Sequence, residues 1–228
     1  MKTFLSLSLF FLLLTGCREE TKNQNVFAST PTNDPETTKI ALANGYDNFE
    51  NVRQLDFTFN VKVNDTLRSQ RAWKWFPGEN RVELTENGQT GSYINDGDLD
   101  ETEKAIDQKF INDTYWFLFP YQLVWSDYDF EHNRSAVAPI SGEEMEKISI
   151  MYPSAGGYTP GDTYHLYLSP DDSLIKEWTY ESSSGRSLST TWEDYETIEG
   201  ITVAKMHKSA DESFQLFFTD IDVIVKED

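Results

Sequence analysis

One cysteine, Cys17, occurs in the 228 residues. No intramolecular disulfide can form, so the fold must hold by its apolar core alone. Cations are scarce: 19 Lys plus Arg stand against 39 Asp plus Glu, for a net charge of -20. Such a surface excludes electrostatic recognition of nucleic acid and opposes adsorption to anionic head groups. It leaves open a lipid held in an apolar interior. After residue 14 no apolar stretch approaches the roughly 20 residues of a membrane-spanning helix. The three histidines, His132, His165 and His207, are far apart and no His-x-His or Cys-x-x-Cys spacing occurs. No metal ligand set is therefore legible. Asp127, Asp129 and Glu131 cluster around Tyr128 without the turn glycine of a calcium loop, and read as a solvated acidic loop. With no Gly-x-Ser-x-Gly elbow and no nucleophile-base pair to propose, neither an enzyme nor a cofactor is expected.

What is present begins at the N-terminus. Lys2 gives a positive start, and residues 4-14 are an apolar run broken only by Ser6 and Ser8. That run is too short to span a bilayer and has the form of a secretory signal. Leu14-Thr15-Gly16 then leads into Cys17. This resembles the lipobox of bacterial lipoproteins, which implies cleavage before Cys17 and acylation of its thiol. One acyl chain anchors marginally; two or three hold a protein stably. Residues 1-16 are thus expected to be a lipoprotein signal peptide and 17-34 a polar, acylated tether. Residues 35-228 should form one domain, long enough for a sizeable core. The expected partner is the membrane, through the acyl chains, and the expected state is a monomer in the cell envelope.

Within the domain, Asp34-Pro35 opens a short helix, which Asn44-Gly45 ends. Leu55, Phe57, Phe59, Val61 and Val63 then alternate with Asp56, Thr58, Asn60, Lys62 and Asn64. A two-residue period means a strand with one apolar and one wet face. Asn64-Asp65 turns the chain, residues 70-76 return, and Pro77-Gly78-Glu79-Asn80 turns it again. Strands follow at 81-85 and 92-95. Asp100 with Glu103 resembles a capping box, followed by a stripe of Ala105, Ile106 and Phe110. Residues 115-125 are then apolar on every side apart from Gln122, with Pro120 inside. No solvated helix looks like that, so the segment must plug a core or cover a cavity. Strands are expected at 146-152, 164-168, 174-181, 188-195, 201-208 and 214-225, with a dense turn signal between the first two, from Gly156 to Asp162. In the last strand the apolar phase shifts between Phe218 and Ile221, which implies a bulge. Short connections imply antiparallel pairing. The fold class is α+β: one large curved antiparallel sheet with helices covering its concave face.

That element order is similar to the LolA/LolB-like fold, an open, incomplete β-barrel capped by helices. Trp73-Lys74-Trp75, Trp116-Phe117-Leu118-Phe119-Pro120, Gly156-Gly157-Tyr158-Thr159-Pro160-Gly161 and Thr191-Trp192-Glu193-Asp194-Tyr195 look like an uncharacterised family of Bacteroidetes lipoproteins with that fold. The resemblance covers residues 35-228. It implies an acyl-chain cavity between sheet and helices, although no stretch matches the membrane-inserting loop of LolB. Arg18-Glu19-Glu20, directly after Cys17, looks like an export signal that sends such lipoproteins to the cell surface. An outer-membrane location, on either the periplasmic face or the cell surface, follows from it.

Aromatic residues make up 14% of the chain, and such side chains line apolar pockets or fill cores. Trp73, Trp75, Trp116, Phe117, Phe119 and Trp125 are the candidate ligand-binding residues. Tyr158, in the glycine turn, is a weaker candidate at the rim. Asp65-Thr66-Leu67 and Asp172-Ser173-Leu174 resemble a Bacteroidetes O-glycosylation sequon, which makes Thr66 and Ser173 candidate attachment points. Two readings of function stand: a non-enzymatic lipoprotein holding a lipid or other apolar ligand in an open barrel, or a surface lipoprotein with a packed barrel that binds protein or glycan through exposed aromatics.

Overall fold

A computed structural model describes residues 35-169 and 171-227; the signal segment, Cys17 and the tether lie outside them. Helix α1 (Pro35–Ala43) buries Ile40 and Ala41 and ends as expected: the Asn44 side chain donates to the Ile40 carbonyl at 2.8 Å, and Gly45 takes φ 81°. A Cβ at Gly45 would sit 1.8 Å from the Gly200 carbonyl oxygen, so no other residue fits this contact between the end of α1 and a later hairpin. A 3-10 turn over Tyr46–Asn51, which carries no clear signal in the sequence, leads into the sheet.

Strands β1 (Val52–Val63), β2 (Thr66–Phe76), β3 (Arg81–Glu86) and β4 (Gln89–Ile94) form a meander. Its two-residue turns, Asn64-Asp65 and Asn87-Gly88, take positive φ throughout, the geometry that suits the twist of paired strands. Register sets the packing. Leu55 faces Trp75 and Phe57 faces Trp73 across β1-β2, while Trp75 faces Val82 and Trp73 faces Leu84 across β2-β3. One face of the meander is thereby a continuous buried apolar surface. The opposite face of β1 is less wet than its alternation implies. Thr58 and Asn60 are buried, and Asn60 donates to the Thr219 hydroxyl at 3.2 Å and accepts from Gln70 at 3.0 Å.

Helix α2 (Glu101–Phe117) begins with the full capping box of Asp100 and Glu103. It runs on through Asn112 and Asp113, and α3 (Phe119–Trp125) follows after a break at Leu118, with Pro120 in its first turn. Every residue from Phe117 to Val124 is buried, as an all-round apolar segment requires. Phe117 stacks on Phe57 at 4.4 Å and lies 4.6 Å from Phe218.

Eight strands follow where six are expected. The acidic stretch read as a loop is strand β5 (Asp129–Val137). It is an edge strand with an exposed, charged outer row, which is how edges are kept from pairing with other chains. Strands β6 (Glu144–Met151), β7 (Thr163–Leu168) and β8 (Ile175–Glu181) pair antiparallel beside it. The stretch 188-195 is two strands, not one: β9 (Ser187–Thr191) and β10 (Glu193–Ile198). Trp192 is the hinge. Its N–H still bonds the Lys176 carbonyl at 2.7 Å, on the β8 side, while Glu193 already pairs with Met206 of β11 (Ile201–Lys208). Strand β12 (Phe214–Val225) carries the bulge: two residues, Asp220 at φ 52° and Ile221, stand opposite Phe57 alone.

The outcome is an open, curved antiparallel architecture with helices against its concave face, its ladder divided at Trp192. Seven strands run in the order β10-β11-β12-β1-β2-β3-β4 and five in the order β5-β6-β7-β8-β9. Helices α2 and α3 touch both parts: Phe110 meets Trp73 and Trp75, whereas Phe119 meets Tyr164 and Trp178.

Candidate functional site

A hollow of about 770 Å³ lies between the two parts of the sheet and one side of α2. Its volume falls in the ~300–1,000 Å³ range of small-molecule sites. From the seven-stranded part come Phe59, Val61, Phe214 and Leu216. Tyr164, Trp178 and Leu188 come from the five-stranded part, and Ile111, Tyr115 and Trp116 from α2. Trp116 is half-buried, 4.6 Å from Trp178 and 6.1 Å from Phe214, so its ring bridges the two walls.

The other five aromatic candidates stand elsewhere. Trp73, Trp75, Phe117 and Phe119 are fully buried and pack the core. Trp125 joins Tyr46, Phe49 and Tyr121 in a cluster beneath α1. The hollow thus meets only the start of segment 115-125, and the rest fills the core. Tyr158, 39% exposed, lines the hollow from the glycine-rich loop between β6 and β7. Burial pushes its phenol up to about 12.

Polar groups in the wall are grouped and mostly engaged. Arg71 on β2 grips Asp113 of α2 with two hydrogen bonds, at 2.7 and 2.5 Å, and lies over the Phe59 ring at 4.4 Å. Asp113 also accepts from the Trp73 indole at 2.8 Å and from Asn112 at 3.0 Å. Desolvation pushes the Asp113 carboxyl up; these donors, Arg71 foremost, pull against it. Asp162 ties two loops together, taking the Tyr180 hydroxyl and the Ser183 N–H at 2.9 Å each. Arg186, in the exposed turn between β8 and β9, reaches over the Tyr180 ring at 5.7 Å. Neither Arg71, Asp113 nor Arg186 is among the residues that spacing alone singles out. A signal existed for the first two. Arg71 shares the strand face of Trp73 and Trp75, and Asp113 shares the helix face of Phe110 and Phe117. A charge on an apolar face implies a buried partner.

The histidines are scattered in space as in sequence. His132 lies between Glu36, at 2.6 Å, and Glu146. His165 meets the Ser149 hydroxyl at 2.8 Å. His207 is fully buried beside Trp116 and Trp192. Among the described residues no group of three His, Cys, Asp or Glu is gathered to hold a metal ion. Thr66 is exposed beside the β1-β2 turn, and Ser173, at φ 57°, stands in the β7-β8 turn, so both sequons lie at strand connections.

No protein-family model matches the chain, and no curated protein matches it by sequence. Solved structures do resemble it in chain course. A LolA superfamily protein from Nitrosomonas europaea is 12% identical with a TM-score of 0.48, over 88% of this chain and 96% of that one. A DUF1329 family protein from Desulfovibrio piger is 10% identical with a TM-score of 0.44, over 86% and 95%. Lipoprotein LppX of Mycobacterium tuberculosis is 11% identical with a TM-score of 0.30, over 86% and 100%. At these values the likeness decides neither ligand nor activity, which rest on the chain's own residues.

Proposed function

We propose that this is a non-enzymatic, lipid-anchored envelope protein that binds a lipid or other apolar ligand in the hollow between its sheet and α2. The observation that supports the reading is the hollow itself: about 770 Å³, open to solvent, and walled by aromatic and aliphatic side chains interspersed with polar ones such as Ser69, Gln108 and Asn112. A wall of this kind gains by covering an apolar chain, at about 25 cal/mol per Å² of apolar surface withdrawn from water. Binding is the chemistry such a wall supports. The N-terminal run and Cys17 support an acylated anchor, and the resemblance of 18-20 to an export signal supports the outer membrane of a Bacteroidetes-type cell. We keep Thr66 and Ser173 as glycan attachment points. An intact mass equal to the bare polypeptide plus its acyl chains would remove them.

Trp116 tests the binding reading. Its ring closes the hollow while other residues carry the core, so Trp116→Ala should weaken binding of a neutral apolar fluorophore about tenfold in a domain that still unfolds cooperatively. An unchanged affinity in a folded variant refutes a ligand at this wall and favours the packed-scaffold reading.

A further inference from the structure

Size and charge narrow the ligand class. At about 30 Å³ for a methylene-sized group, a water molecule's share of its liquid, a hollow of about 770 Å³ holds about 25 such groups. That is one long acyl chain with its head. A diacyl or triacyl lipid needs far more. Ile111, Trp116, Trp178 and Leu216 give the hollow an apolar surface that suits the chain.

The charged groups of the wall are Arg71, Asp162 and Arg186. Two are already matched. Arg71 is held by both oxygens of Asp113, and each Asp162 oxygen has a donor in Tyr180 or Ser183. Among the described residues no carboxylate stands at ion-pair distance from Arg186. Of the two arginines in the wall it is the one whose charge no ion pair meets. Its guanidinium lies over Tyr180 at the solvent edge of an apolar wall, where an opposite charge is attracted more strongly than in open water.

We infer that the hollow takes a single-chain amphiphile with an anionic head, carboxylate or phosphate. The head meets Arg186 at the rim, and the chain runs inward past Trp116. This rests on the binding reading above and adds its ligand class. The test uses the full chain carrying Cys17→Ser, so that its own acyl chains do not compete. Palmitate, hexadecyl phosphate, hexadecanol and a dipalmitoyl phosphatidylglycerol are titrated against bound N-phenyl-1-naphthylamine. Palmitate or hexadecyl phosphate should displace the fluorophore about tenfold more tightly than hexadecanol, the scale of one charge-assisted hydrogen bond at a partly solvated site. The stronger of the two identifies the head as carboxylate or phosphate. In Arg186→Gln the preference should vanish, and Arg186→Lys should keep part of it. Equal binding of palmitate and hexadecanol by the unsubstituted rim overturns this inference and leaves the apolar-ligand reading standing. Diacyl lipid binding as tightly as palmitate overturns the single-chain assignment. If the fluorophore itself does not bind, the apolar-ligand reading falls with it.

Discussion

His207 gives the sharpest energetic prediction. It sits on β11 with its ring 4.6 Å from Trp192, 5.5 Å from Trp116 and 5.9 Å from Phe218, wholly buried at the seam between the two parts of the sheet. Its Nδ1 faces the Thr191 carbonyl at 3.2 Å, so that nitrogen carries the proton and donates. Nε2 has no hydrogen-bond partner among the described residues. Charging the ring there would put an imidazolium among indoles, and burial accordingly pushes its pKa from 6.5 down to about 3. The unfolded chain therefore takes up a proton near pH 6.5 that the folded chain refuses until near pH 3. The stability due to a neutral His207 is complete above pH 6.5 and is lost progressively as pH falls toward 3. At about 1.36 kcal/mol per pH unit, going from pH 7 to pH 4.5 should cost about 2.5 kcal/mol through this residue alone. Urea unfolding of the full chain and of His207→Gln, at several pH values in that window, isolates the effect, because all other titrating groups are common to both. The variant should be the less stable at pH 7, and the gap should shift in its favour by about 2.5 kcal/mol at pH 4.5. A gap that stays constant to within about 0.5 kcal/mol would falsify the dry seam, since His207 would then titrate as it does in water.

Asp113 holds α2 to β2 through Arg71 and Trp73, so Asp113→Ala strands an arginine against the apolar wall. It should cost about 3–5 kcal/mol in the same unfolding assay, and a loss under 1 kcal/mol would show that water already reaches the pair. Trp75 lies in the core, away from the hollow. Trp75→Ala should therefore cost about 3–5 kcal/mol of stability, while the remaining folded protein keeps its affinity for apolar ligand. A selective loss of affinity would move the site into the β1-β2 core. Cys17→Ser should move the protein from the membrane to the soluble fraction of fractionated cells, and continued membrane retention would refute the acyl anchor.

The elements legible in the sequence were those with a local cause. The alternation from Leu55 to Val63, the Asn64-Asp65 turn, the Asp100-Glu103 capping box and the β12 bulge each depend on neighbours within a few residues. Strand β5 was hidden because an edge strand has little apolar surface to show, and Asp129 and Glu131 on its outer row imitate a loop. The split at Trp192 was hidden because residues 188-195 are uniformly β-like. Only the pairing of Glu193 with Met206 shows that the chain has changed partners. The candidate site divided in the same way. Trp116 does stand at the hollow, since an all-round apolar helix must meet something on its outer side. Trp73, Trp75, Phe117 and Phe119 look identical in sequence, but register sends them to the core. Arg71, Asp113 and Arg186 act through partners 40 or 42 residues away in the chain or through position at a rim, and no local pattern carries that.

Native mass spectrometry decides whether the hollow is a ligand site. The full chain with Cys17→Ser is isolated from bacterial envelope without detergent and weighed before and after extraction with organic solvent. A ligand site gives a one-to-one adduct, lost on extraction and of the mass of a single-chain anionic amphiphile. A bare mass, with no uptake of added fatty acid or phospholipid, would refute a ligand in the hollow and leave the protein as a scaffold that binds by its outer surface.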